Sequence, residues 1–118
     1  MNKMSTMKPF APGDIFLGCT YLMNVPGDDH AGEGRILQYD RHMVPLIFQP
    51  YATDIASRAA SLSPVDVLET AAGTGVVTRA LAPLLSRNAT YVVTDLNQPM
   101  LDHAALQQGA DSRISWRQ

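Results

Sequence analysis

From Ile36 onward the apolar positions fall into an alternation of long spaced groups and short dense ones. Ile36, Leu37, Met43 and Val44 suit a first helix that stops near Pro45, and Leu46, Ile47, Tyr51, Ile55 and Ala59 mark the inner stripe of a second. Pro50 falls near the start of that second helix, where its missing N–H is tolerated. Ser63-Pro64 then punctuates the chain, and Val65, Val67 and Leu68 predict a short buried strand ending at Glu69 or Thr70. A helix is expected from about Gly75, with Val77, Leu81, Leu84 and Leu85 on one face and Pro83 kinking it or ending it early. "TYVVTD", Thr90 to Asp95, is rich in β-branched residues and predicts the next strand. Asn97 is the expected cap of a helix with Pro99 in its first turn, Met100, Leu101, Ala104 and Ala105 facing inward, and Gly109 as its stop. "RISWRQ" reads as a further strand.

The predicted order is two helices followed by β-α-β-α-β, which implies an α/β fold with a Rossmann-like parallel sheet and right-handed crossovers, truncated after its third strand. The 118 residues and their 46% hydrophobic content are enough for one globular domain and not for two. Residues 1–34, rich in Gly, Pro and Asp and without helical or strand period, read as an irregular lead-in, and residues 35–118 as a partial domain.

In parallel sheets ligands bind at the carboxyl ends of the strands. This topology brings two features together there. "VLETAAGTGVVTRAL", Val67 to Leu81, is nearly stripped of side chains where strand passes to helix, so Gly73 and Gly75 allow a sharp turn and a close ligand, and N–H groups after Gly75 can donate. Asp95 follows about 20 residues later at the tip of the neighbouring strand, where a carboxylate accepts from both ribose hydroxyls of a nucleoside.

The alternatives among nucleoside ligands narrow quickly. A dinucleotide fingerprint wants a third glycine where this chain has Thr78, and a Walker loop wants a lysine that is missing. Glu69, just before the loop, would repel a pyrophosphate and attract a cation. An adenine nucleoside carrying positive charge fits best, and S-adenosylmethionine has both an α-amino group and a sulfonium.

"VLETAAGTG" resembles the first motif of class I S-adenosylmethionine-dependent methyltransferases, and "VVTDLNQPML" resembles their second. "YDRHMVPLIFQPYA" is similar to the helical lead-in of small-molecule methyltransferases of the ubiquinone/menaquinone-biosynthesis type. The resemblance runs from about Gly34 onward and covers the N-terminal half of that fold. It implies that Glu69, Ala71, Gly73 and Gly75 surround the methionine part of the cofactor, that Asp95 binds the ribose, that Leu96 and Met100 flank the adenine, and that Tyr39 closes over the cofactor. Ala71 and Ala72 depart from the commonest form of the first motif and should narrow the loop slightly.

Methyl transfer from a sulfonium needs alignment and exclusion of water more than acid–base help, so no catalytic residue is assigned. The expected function is transfer of a methyl group to a small-molecule acceptor. The alternative is a non-catalytic truncated or split methyltransferase acting as a binding or partner module, because the family's sheet continues past its third strand to build the far wall of the pocket and the acceptor site. On that expectation the first strand carries an unpaired apolar edge, to be covered by a second copy or another chain.

Composition excludes other classes. A formal charge of −2 with scattered Lys and Arg leaves no footprint for nucleic acid or an anionic membrane. Cys19 is the single cysteine, and His30, His42 and His103 are widely spaced, so no metal-ligand spacing is present. "IFLGCTYLM" is too short to span a bilayer, and Pro12 and Asp14 interrupt a signal-peptide pattern, so a cytoplasmic location is expected.

Overall fold

The computed structural model describes the backbone of residues 15–18 and all of residues 48–118. Four strands form one parallel sheet in the order β1 (Ile15–Gly18), β2 (Asp66–Thr70), β3 (Thr90–Thr94) and β4 (Ile114–Arg117). Helix α1 (Gln49–Ser61) precedes β2, α2 (Val76–Leu81) joins β2 to β3, and α3 (Gln98–Gln108) joins β3 to β4. The α/β class and the parallel β-α-β-α-β run are therefore as the hydrophobic pattern predicts.

Strand register explains where the core lies. Val67 stands beside Tyr91, which stands beside Ile114, and Glu69 stands beside Val93, which stands beside Trp116. Because side chains alternate across a strand, these six share one face of the sheet. Ala56 and Ala59 of α1, Leu81 of α2 and Leu101 of α3 close over that face in a single cluster with Val67, Tyr91 and Val93, while Ile114 and Trp116 pack at its margin.

Each helix ends for a local reason. Pro50 occupies the first turn of α1. α2 stops after six residues and tightens into a 3-10 turn over Ala82–Leu84, as Pro83 cannot continue the α-helical ladder. The Asn97 side chain caps α3 by accepting from the Met100 amide, and Gly109 ends it at a φ of +75°.

Four expectations need correction. Residues 15–18, inside the segment read as irregular, form β1; a four-residue apolar run is too short to show a period, and only its partner reveals it as a strand. β1 pairs with the edge of β2 that the sequence left open, so the chain itself covers the edge expected to recruit a second copy. On α1 the buried stripe is Ala52, Ala56 and Ala59, whereas Tyr51 is 74% exposed and Ile55 lies at the surface. α1 packs against α2, and small side chains permit that close approach where a hydrophobicity-weighted pattern favours the large ones. Val65 and Leu84 are exposed as well, the first preceding β2 and the second turned outward by the 3-10 turn. The first predicted helix, Ile36 to Val44, lies outside the described residues.

Candidate functional site

The segment from Ala71 to Gly75 leaves β2 in a sequence of left-handed conformations, with φ of +54° at Ala71, +58° at Gly73 and +78° at Gly75. Glycine takes such angles without a Cβ penalty, while an alanine there costs about 1–2 kcal/mol. Something must hold the loop in place, and the hydrogen bonds show what does. The Ala72 amide donates to the Thr94 carbonyl (3.0 Å), and the Gly75 amide to the Ala72 carbonyl (3.0 Å). The Gly73 amide donates to Asp95 Oδ2 across 2.7 Å. The loop is thereby stitched to the end of β3.

Asp95 performs a second task at the same time. Its Oδ1 accepts from the Asn97 amide at 2.8 Å, which sets the approach to the α3 cap. Among the described residues each carboxylate oxygen thus carries one backbone donor, and a carboxylate offers about four acceptor positions. The side chain is half-buried; Leu96, the following residue, is 92% exposed, and Met100 is half-buried in the first turn of α3.

Gly75 serves packing more than ligand approach. A Cβ at that position would lie 2.9 Å from Ala104 Cβ on α3, so the missing side chain lets α2 and α3 meet. At Gly73 a Cβ would have nothing within 4 Å among the described residues, so this glycine answers to its φ. α2 is only six residues long, too short for its N-terminus to hold an anion on its own.

Beneath the loop lies Glu69, 1% exposed at the end of β2. Thr78 Oγ1 and the Tyr91 hydroxyl both donate to its Oε2, at 2.7 and 2.5 Å. Thr94 Oγ1 donates to the Glu69 carbonyl at 3.0 Å. Among the described residues Oε1 is buried without a hydrogen-bond partner, and so is Thr74 Oγ1 in the loop that follows. Burial raises the pKa of Glu69 above the usual carboxylate value; the hydroxyls of Tyr91 and Thr78 and the charge of Arg79 oppose that rise, and Asp95 adds to it. Burial beside this carboxylate pushes the Tyr91 phenol far upward, so it is a hydrogen-bond donor at any working pH. Arg79 Nη1 donates to the Thr74 carbonyl, which brings its positive charge to the loop.

The structure therefore gathers Glu69, Ala71, Gly73, Gly75, Asp95, Leu96 and Met100 around one end of the sheet. Tyr39 lies outside the described residues. Two members of the site escaped the sequence reading. In the sequence Thr78 stands only where a dinucleotide loop would have glycine, and Tyr91 is one residue of a β-prone run. The alternation of β3 held the missing signal, since Tyr91 shares its face with Glu69 once the register is known.

Comparison with protein-family models, with curated proteins and with solved structures gives no match for this chain. Among the described residues no helix is long and apolar enough to cross a membrane, and no group of His, Cys, Asp and Glu could hold a metal ion.

Proposed function

We propose that this chain is a Rossmann-like S-adenosylmethionine-binding unit related to the N-terminal half of class I methyltransferases, serving methyl transfer to a small-molecule acceptor. The observation that carries the reading is the carboxylate at the tip of β3, tied to the glycine loop through the Gly73 amide and to the start of α3 through the Asn97 amide. A carboxylate has a further acceptor position on each oxygen, and two vicinal hydroxyls of a ribose would match that pair.

The donor set suits the cofactor. Asp95 would hold the ribose, the backbone from Ala71 to Gly75 would lie along the methionine part, and Leu96 and Met100 would flank the adenine. S-adenosylmethionine supplies an activated methyl group on its sulfonium. The chain's own residues bind and orient, and none of those described is assigned to proton transfer.

The test is a calorimetric titration of the 118-residue chain with S-adenosylhomocysteine and, separately, with NAD. Saturable binding of S-adenosylhomocysteine that NAD does not displace supports the reading. Preference for NAD, or no binding by a folded chain, overturns it.

A further inference from the structure

Glu69 joins three elements at the base of the glycine loop. It lies at the end of β2, Thr78 Oγ1 reaches its Oε2 from α2 at 2.7 Å, and the Tyr91 hydroxyl reaches the same oxygen from β3 at 2.5 Å. The contact with Thr78 ties the strand before the loop to the first turn of the helix after it. All three side chains are buried, and among the described residues the second oxygen of Glu69, Oε1, has no partner. A buried carboxylate with one bare oxygen is costly, whereas a neutral carboxyl group leaves bare only a carbonyl oxygen. The partners suit the neutral form as well. A hydroxyl both donates and accepts, so Oε2 can pass its hydrogen to one of the pair and accept from the other.

We infer that Glu69 is a positioning residue in the form of a neutral acid, sharing its proton with the hydroxyls of Tyr91 and Thr78 and so holding the base of the glycine loop closed. The surroundings of the carboxyl group favour that form. Burial, the largest influence, pushes its pKa upward by more than the two hydroxyls and the charge of Arg79 on α2 hold it down, and Asp95 past the end of β3 adds to the rise. On the other side, β1 brings Leu17 into register beside Glu69. Residue type alone would give this acid a charge that draws a cation. A shared proton gives it instead the task of bracing the loop that Asp95 holds through the Gly73 amide. Ionisation would leave a buried charge that Asp95 opposes, so the loop loses its brace as pH rises past the point where Glu69 releases its proton. The inference rests on the proposed ligand only for its affinity measurements.

The full chain has one other glutamate, Glu33, so isotopic labelling of the glutamate carboxyl carbons gives two NMR signals, which Glu33→Gln assigns. At neutral pH the Glu69 signal should stand at the protonated position; the ionised position there overturns the inference. Affinity for S-adenosylhomocysteine is then measured against pH in the native chain, Glu69→Gln, Thr78→Val and Thr78→Ser. Comparison at equal pH cancels the titration of the ligand itself. The ratio of native to Glu69→Gln affinity should fall on the alkaline side, by about tenfold per pH unit once the Glu69 signal has begun to ionise. Thr78→Val should bind about fivefold more weakly than the native chain at neutral pH, and Thr78→Ser should recover most of that loss. A ratio that does not follow the carboxyl signal overturns the positioning role, and so does native affinity in Thr78→Val. If the native chain binds no ligand, the proposed function fails; urea unfolding of the same chains over the same pH range then replaces affinity in each comparison and still decides the role of Glu69. If Glu69→Gln does not fold, the native carboxyl signal and the two Thr78 variants decide it.

Discussion

Gly73 and Asp95, 22 positions apart, meet through a 2.7 Å hydrogen bond from the Gly73 amide to Oδ2. That bond makes the loop after β2 and the tip of β3 one structural unit. A ligand held by Asp95 is then placed relative to the loop by the fold and not by its own contacts alone.

Replacing Asp95 with alanine removes two things at once, the proposed acceptor for a ribose and the partner of the Gly73 and Asn97 amides. Affinity for S-adenosylhomocysteine should fall by more than about tenfold, since hydrogen bonds to a charged group are among the stronger ones. Unfolding stability should fall by about 1–3 kcal/mol while the circular dichroism spectrum keeps its α/β form. Calorimetric titration and urea denaturation of the same preparation separate the two effects. Native affinity in the variant would refute Asp95 as the ribose ligand.

The raised pKa of Glu69, caused first by burial, makes stability depend on pH in a definite direction. Between its ordinary value of 4.5 and its higher folded value, the native state binds a proton that the unfolded state has released. Stability contributed by this group is therefore full below 4.5 and is lost as pH rises through the folded value. Glu69→Gln, which keeps an oxygen to accept from Thr78 and Tyr91, should flatten that descent. Urea unfolding across the range gives both slopes, and identical slopes would contradict the assignment.

The two loop glycines should respond differently to alanine. Gly75→Ala combines a φ of +78° with a Cβ only 2.9 Å from Ala104 Cβ, and should cost about 2–4 kcal/mol. Gly73→Ala meets no neighbour within 4 Å among the described residues and should cost about 1–2 kcal/mol from its φ alone. Thermal denaturation of both variants checks the order.

Arg113 supports the opposite end of the molecule. Its guanidinium donates to the carbonyls of Ala82, Leu85 and Ser86 and pairs with Asp111 at 2.6 Å, closing the end of the 3-10 turn. Arg113→Ala should lower stability by about 1–3 kcal/mol and leave affinity for S-adenosylhomocysteine unchanged. Arg113→Lys should rescue only part of the loss, because an ammonium lacks the planar fork that reaches several carbonyls. Hydrogen bonding to Arg113 lowers the pKa of Asp111, so this contribution is present above the ordinary value of 3.8 and is lost as pH falls through the folded one.

Much of this architecture follows from local rules. The alternation at Val67 to Glu69 and at Tyr91 to Val93, the Asn97 cap, Pro83 and Gly109 each act within a few residues, so element order, helix ends and the α/β class are legible from the residues themselves. The pairing of the glycine loop with Asp95 is legible too, because parallel crossovers return the chain to the same end of the sheet. β1 is different. Four apolar residues have no period of their own, and only pairing with β2 makes them a strand. The stripe of α1 is decided by what packs on it, which selects Ala52, Ala56 and Ala59 over the more hydrophobic Tyr51 and Ile55. The meeting of Glu69 with Tyr91 is decided the same way, since register is a property of two strands and belongs to neither alone. The sequence by itself determined the elements from α1 onward, their order and the turn that carries the candidate site. Tertiary structure decided which faces were buried, which edge was covered and which hydroxyls would meet the buried acid, because those outcomes depend on contacts between segments far apart along the chain.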